Sequence, residues 1–447
     1  MPEANPPSRG RRLVRWALKL VMRLTLLVAL VILAWFGPAL YHRFVRFPEE
    51  VADLASLRAD RQPVLENTGW REYRGVLHSH SVLSHDCNVS FEDIQRVLRD
   101  TGRDFICLSD HCADGRADFS RPWRGLHGGR LFIPGYEMKE GLMPFGVASD
   151  IVLSNRTDGA TLARQILAGG GLCFYAHPEE PRVWDRPELT GMEIYNAHAD
   201  FKDEKYLLVK LLPDIALNYG QYPEQVLRLC FDRPTANLDR WDQLNQSRHL
   251  TGIGGNDCHQ NTGLRLQYTA ADTLRFSDTG KKTLGEVKLN WLTRPLARLC
   301  FGPLEPGRVL FHIQLDPYDR MARHVSTHVW ARDLTEPAVL DALRAGRAFV
   351  GFDLLADSTG FICLANGPGG RAVMGETMKF SPGTRFRART PQACRFTVVK
   401  DGQPAYRQEG RVLDWAVPGP GLYRLEAELK IRGAWTPWIY ANPLWLR

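Results

Sequence analysis

The nine cysteines of this 447-residue chain include no C-x-x-C pair. They are odd in number and dispersed from Cys87 to Cys394, so neither a zinc knuckle nor a disulfide framework is indicated. No G-x-S-x-G elbow occurs, which removes the usual sequence mark of a Ser-His-Asp hydrolase. Basic stretches interleaved with aromatics are also missing. The formal net charge of +7 therefore gives no sign of specific nucleic-acid binding, and much of the excess sits in the first 25 residues. One stretch lacks charge altogether, from Leu24 to Tyr41.

That uncharged run follows Arg9, Arg11, Arg12, Arg15, Lys19 and Arg23. Its length at the helical rise is about 27 Å, close to the hydrocarbon thickness of a bilayer. No A-x-A-like cleavage site follows it, and Trp35, Phe36 and Tyr41 stand near the far end like an interfacial aromatic belt. The expectation is a single-pass transmembrane helix over 24–41 in the inner (cytoplasmic) membrane, behind a basic cytoplasmic N-terminus over 1–23. The denser positive charge before the helix keeps the N-terminus inside and puts the folded mass on the extracytoplasmic, periplasmic side. Free thiols are disfavoured there, so this topology needs most of them buried, as Cys107 and Cys173 are expected to be; otherwise the orientation is reversed.

After a polar connector (42–73), short apolar runs that read as strands alternate with helix-like segments at Phe91 to Thr101, Thr161 to Ala168 and Leu238 to His249. Polar residues of one kind close these runs. His78 and His80 end the first, and the sequence continues to His85 and Asp86. Asp110 and His111 end the next, then Glu137, His177, a run holding Glu193, Asn196 and His198, and finally Asp257 and His259. Seven of the thirteen histidines lie at or near these ends. In β/α folds chemistry gathers at the carboxyl ends of parallel strands, and mixed nitrogen and oxygen donors suit zinc, manganese or iron.

In order, HSHSVLSHD, LSDH, GYE, AHP, EIYNAH and GGNDCH resemble the ligand motifs of the PHP (polymerase and histidinol phosphatase) metallohydrolase superfamily, over about Arg74 to His259. The resemblance implies an α/β fold, a distorted seven-stranded (β/α)7 barrel over 74–335 with an insertion at about 264–308. It implies a first metal on His78, His80, Glu137 and Asp257, with Glu137 bridging to a second on His177 and His198, and a third on Asp86, His111 and His259. The family commonly reads H-x-H-T-x-x-S-D-G, and here His85 takes the place of that Asp, with Asp86 one residue later. Asp86 is the expected ligand, since a one-residue bulge after a strand is easily absorbed, with His85 as its alternative; Asn196 stands as the alternative to His198.

Beyond the barrel, a basic amphipathic stretch from Lys281 to Arg298 reads as an insertion helix packed on its own domain, or as one lying on a membrane surface. Glu336 to Gly346 has helical periodicity with Pro early and Gly at its end. Alternating segments separated by Gly and Pro turns follow, so 336–447 is expected to form a helix plus a small β-sandwich-like domain. Short phrases there (DALRAGRAFV, WIYANPLWLR) are similar to the carbaryl-hydrolase-like branch of PHP proteins.

Two or three divalent cations lower the pKa of a bridging water and neutralise oxyanion charge, so hydrolysis by a metal-activated hydroxide is the expected reaction. Phosphomonoesters or phosphodiesters are the substrates the resemblance implies first, with carbamate or ester hydrolysis on the same metals as the alternative. A non-catalytic membrane-tethered binding protein is the reading of another class. Glu137 and Asp257 are the expected catalytic ligands, and His85, if not a ligand, is a candidate acid for the leaving group. Arg116, Lys139 and Arg182 follow the ligand motifs closely and are candidate phosphate contacts.

Overall fold

The computed structural model describes residues 9–64, 66, 68–203, 205–280 and 282–447; residues 1–8 of the basic N-terminus and Lys281 lie outside them. The chain divides into two compact units, one of residues 1–53 with 204–231 and one of 54–203 with 232–447.

In the first unit a helix runs from Arg9 to Tyr41, well upstream of the uncharged run, because Arg15, Lys19 and Arg23 are good helix formers. It is long and apolar enough to cross a membrane. Below it a five-residue π-turn (His42–Arg46) leads into a second helix, Phe47–Ala59. Residues 205–217 form a further helix in this unit. Its Asp214 accepts from His42 Nδ1 at 2.9 Å, and Asn218 Nδ2 donates to Ala39 O at 2.9 Å.

The second unit is mixed α/β. The strands that build the site are numbered in chain order: β1 (Arg71–Ser79), β2 (Phe105–Cys107), β3 (Arg130–Ile133), β4 (Leu142–Phe145), β5 (Leu172–Tyr175), β6 (Gly191–Asn196) and β7 (Thr251–Cys258). Parallel pairing gives the order β3-β2-β1-β7-β6-β5. β4 departs from the repeat by pairing antiparallel with β5. The connection from β3 to β4 holds no crossover helix, and a parallel return needs a dozen residues or more. At the two ends of this order a single bridge joins Gly135 to Phe145, and Gly146 N donates to Pro134 O at 2.8 Å.

Helices fill the connections. Phe91–Asp100 starts at Ser90, whose Oγ accepts from Asp93 N; Gly159–Ala168 starts at Asp158, which caps Thr161 N. Thr235–Asn245 precedes β7. The core between strands and helices contains Leu77, Phe105, Leu131, Phe145, Phe174 and Ile253, and the helix Glu336–Ala345 packs Val339, Leu340 and Leu343 into it. Gly75 is required where β1 passes β2, since a Cβ there would lie 2.1 Å from the Phe105 ring.

The C-terminal region is strand-rich. Ser326–Ala331 pairs antiparallel with the first half of β1 and with Ala348–Gly351, which pairs in turn with Ala434–Ala441. Long antiparallel partners continue from there, Gly421–Ile431, Arg385–Lys400 and Gln403–Ala416. The stretch from Lys281 to Arg298 is not one helix. Thr283–Lys288 is an edge strand of a four-stranded antiparallel sheet, and only Thr293–Phe301 is helical. Its local pattern favours neither a strand nor a helix, and pairing with Thr273–Ser277 decides between them.

At the junction of β1 with the C-terminal strands His328 is fully buried between two carboxylates: Nδ1 lies 2.6 Å from Glu72 Oε1 and Nε2 lies 3.2 Å from Asp353 Oδ2. Ser358 Oγ is 3.1 Å from the same Nε2, so a Ser-His-carboxylate arrangement exists here. It has no access to solvent, and the two carboxylates favour the cationic imidazole over the neutral form that proton abstraction needs. Burial opposes that charge, but Asp353 and then Glu72 outweigh it and push the His328 pKa up to about 9. Because the folded-state pKa lies above the unfolded one, the stabilisation is complete below about pH 6.5 and is lost as pH rises through 9. The loss is about 3 kcal/mol over that window. Urea midpoints of the full chain in detergent should fall between pH 6.5 and 9, and should fall much less in His328→Gln; equal slopes in both proteins would contradict the assignment.

Candidate metal centre

The carboxyl ends of the strands carry the site. His78 and Asp257 interrupt the pairing of β1 with β7 where the register shifts, and both take positive φ, +57° and +49°. His177, just past β5, does the same at +49°. Such backbone is strained by roughly 1–3 kcal/mol for a non-glycine residue, and it persists where surrounding structure over-determines it. His78 and His80, two apart in the chain, therefore do not simply share one strand face. A bulge turns His78, and both Nε2 atoms still come to Asp257 Oδ1, at 3.4 and 3.2 Å.

Four sets of donors have their ligand atoms within 4.8 Å of one another: His80, Asp86, His111 and His259; His78, His177 and Asp257; His78, His80 and Glu137; and His198, Asp257 and His259. All nine sequence-derived ligands thus fall into connected groups. Glu137 touches three of them, with Oε1 3.2 Å from His177 Nε2 and Oε2 3.4 Å from His111 Nδ1 and 3.5 Å from His78 Nε2. The partition differs from the expected one at His198, which gathers with Asp257 and His259 and not with His177. Asp86 Oδ2 lies 3.4 Å from His259 Nε2 and 3.6 Å from His111 Nε2, so Asp86 joins a donor set. His85 is exposed at the rim, its ring centroid 5.0 Å from that of His111.

Polar residues behind the site fix the imidazoles of His78, His80 and His177. Glu193, buried on β6, lies 2.6 Å from His78 Nδ1 through Oε1, and its Oε2 accepts from His177 N at 2.9 Å. Gly255 leaves room for it, since a Cβ there would meet Glu193 Oε1 at 1.9 Å. Ser84 Oγ is 3.0 Å from His80 Nδ1 and donates to Asp110 Oδ1, and Glu179 holds His177 Nδ1 at 3.0 Å. Each contact occupies Nδ1 and leaves Nε2 facing the centre. Asn196 serves this layer too: its Nδ2 donates to Glu193 Oε2, and its Oδ1 accepts from the backbone N–H groups of His198 and Ala199.

Whether cations fit is decided by the atoms left over. His78 Nε2, His80 Nε2, Asp86 Oδ1 and Asp257 Oδ1 are all buried without a hydrogen-bond partner. Orphaned nitrogen and oxygen donors converging on one space suit divalent cations. Electrostatics agree. Burial favours neutral carboxyls, yet His177 and His78 hold Glu137 well below the usual range, and His78 and His259 do so for Asp257. Burial would also discharge the imidazoles. The carboxylates of Asp257 and Glu193 nevertheless raise His78, and Glu137 and Glu179 push His177 up to about 10. His80 goes the other way, lowered by burial and by His259, so its Nε2 offers a lone pair. Side-chain exposure rises from nil at His78 and His80 to 28% at His111 and 27% at Asp86, so the cluster opens on that side.

The expected phosphate contacts separate. Arg182 donates to Ala176 O through Nε and Nη2, at 3.1 and 3.0 Å, and pairs with Glu180 at 3.0 Å. Its guanidinium secures the turn carrying His177, which corrects the substrate-contact expectation. Arg116 is exposed on a short strand paired with Val152–Ser154, and Lys139 N donates to Asn155 Oδ1. Sequence reasoning missed Glu193, Glu179, Ser84 and Asp110 as supports. Glu193, Asp110 and Ser84 do stand within motifs, but nothing local shows that they face an imidazole or its support. Beyond His177 and His198 a cavity of about 700 Å³ is lined by Glu179, Trp184, Asn196, Asp232, Asn237 and Arg240 among others.

Glu193→Gln should weaken divalent-cation affinity by roughly 10–100-fold, as removal of a charged imidazole partner commonly does. Competition against a fluorescent chelator measures it, and unchanged affinity would remove Glu193 from the support layer.

No family model and no curated protein matches the chain. Among solved structures, a two-domain protein containing a predicted PHP-like metal-dependent phosphoesterase, from Bacteroides vulgatus, aligns over 85% of this chain and 98% of its own at 13% identity, with a TM-score of 0.34. A likeness at that level carries no weight for the activity of this chain.

Proposed function

We propose that the chain is a membrane-anchored, metal-dependent hydrolase of the PHP type, with phosphomonoesters or phosphodiesters as substrates. The observation that carries this reading is the convergence of nine imidazole and carboxylate side chains, several with buried, unpartnered donor atoms, at the carboxyl ends of the strands. The strand order, with its bridge from Gly135 to Phe145, supports a distorted seven-stranded barrel.

Two or three divalent cations (zinc, manganese or iron) on these donors would bring the pKa of bound water toward neutrality and offset charge on phosphoryl oxygens. The chain's own part is positional. Glu193, Ser84 and Glu179 orient the imidazoles, and Glu137 lies between the His78/His80 pair and His177. His111, Asp86 and His85 line the open side, where a phosphoester enters, and His85 is free there to protonate the leaving group. The cavity past His177 and His198 receives the rest of the substrate. Arg116 and Lys139 stand as further candidates for phosphate contact.

Anchoring rests on the helix from Arg9, and the cationic flank favours a cytoplasmic N-terminus with the catalytic unit outside. Seven of the nine thiols are buried, and Cys300 is the exposed one, so an oxidising compartment is tolerable. Burial also raises Cys107 and Cys258 well above the ordinary thiol value and pushes Cys173 and Cys394 up to about 12, which suppresses thiolate chemistry.

His80→Ala and Asp257→Ala should each lose bound metal and all measurable turnover of a phosphodiester while keeping the far-UV spectrum of the parent. Full activity in either variant overturns the metal-site reading, and turnover of an aryl carbamate in place of any phosphoester overturns the substrate class. A periplasm-dependent reporter fused after residue 50 should be active; silence would place the catalytic unit in the cytoplasm.

A further inference from the structure

Among the described residues, the insertion over about 264–308 supplies no donor to the metal centre, and its surface is unusual. Its four strands and one short helix enclose a small core of Leu266, Tyr268, Leu274, Leu289 and Ala297. The helix Thr293–Phe301 buries Ala297 in that core. Facing solvent are Trp291 at 81% exposure, Leu292 at 61%, Leu296 at 59% and Leu299 at 83%. Leu292, Leu296 and Leu299 are three or four residues apart, and the exposed Cys300 lies four beyond Leu296, so all four form one stripe. Contiguous exposed apolar surface of this kind marks an interaction site.

Charge favours one occupant. Between Lys282 and Arg308 there are five basic residues and two acidic ones, and Glu286 is already paired with Arg275. Lys288 and Arg298 are exposed and pair with no carboxylate among the described residues. A leucine stripe led in by Trp and edged by Arg and Lys is the composition of a helix lying in an anionic lipid interface. A helix of nine residues binds a bilayer weakly by itself. On a chain already tethered to the membrane the contact is intramolecular, so a small patch suffices.

We infer that this patch, Trp291 with the Leu292–Leu296–Leu299 stripe, docks on the anionic surface of the membrane that anchors the chain. The inference rests on the anchoring part of the proposed function and gives the catalytic unit a second membrane contact.

Cys300 lies on the stripe and allows a direct test in the full chain. A Cys112→Ser background leaves it the one accessible thiol for a nitroxide. The labelled chain is reconstituted at one copy per nanodisc of phosphatidylglycerol and phosphatidylcholine. Docking predicts frequent collision of the label with oxygen and several-fold less with an aqueous nickel chelate. Adding Trp291→Ser and Leu296→Gln should restore chelate access, as should phosphatidylcholine alone with salt. A label freely reached by the chelate in the parent overturns the inference. So does a label shielded from both reagents only in discs holding two copies, which would assign the patch to a protein contact. Release of the full chain from native membranes by alkaline carbonate would instead overturn the anchoring, so the two failures are distinguishable.

Discussion

Buried imidazole nitrogens and carboxylate oxygens without a hydrogen-bond partner are the costly feature around which the second unit is arranged. His78 Nε2, His80 Nε2 and Asp257 Oδ1 face one another at 3.2–3.4 Å in a space closed to water. Each orphaned polar atom costs about 1–3 kcal/mol of desolvation. The carboxylates of Glu137 and Asp257 offset part of that by holding His78 and His177 as cations. Protons and metal ions therefore compete for the same donors, and cation binding must expel protons.

Holding such a cluster against its own electrostatics takes a rigid frame. Strands in parallel register deliver the donors to one end, while the left-handed residues at His78, His177 and Asp257 re-aim them inward. The layer behind is polar as well: Glu193, Asn196, Ser84, Asp110 and Glu179 fix ring orientation through Nδ1 or the adjoining backbone. Beyond the site, the C-terminal strands extend the sheet through Ser326–Ala331. A second buried charge network at His328, Glu72 and Asp353 locks that seam. The two networks share a chemistry, imidazole between carboxylates, but differ in access, and access separates a reactive centre from a structural one.

The insertion obeys other rules. Its core is small, its edge strand Thr283–Lys288 is exposed throughout, and its helix turns leucines outward. Selection for solubility alone would not retain Trp291 and Leu299 in water, where contiguous exposed apolar surface marks an interaction site.

Composition and order along the chain settled a good deal by themselves. An uncharged run behind a cationic flank makes a helix able to span a bilayer, since hydropathy and length are local properties. Strand-ending His, Asp and Glu in series point to the nine side chains that the structure gathers, because residue type at a strand end is legible without coordinates. Folding in three dimensions decided the rest. The grouping of His198 with Asp257 and His259 and the support from Glu193 and Glu179 depend on distances between residues far apart in the chain. So does the antiparallel β4 and the edge strand at Thr283–Lys288, where pairing with a neighbour overrode an ambiguous local pattern. Local pattern fixes which groups are on offer, and packing, which is non-local, fixes what each of them faces.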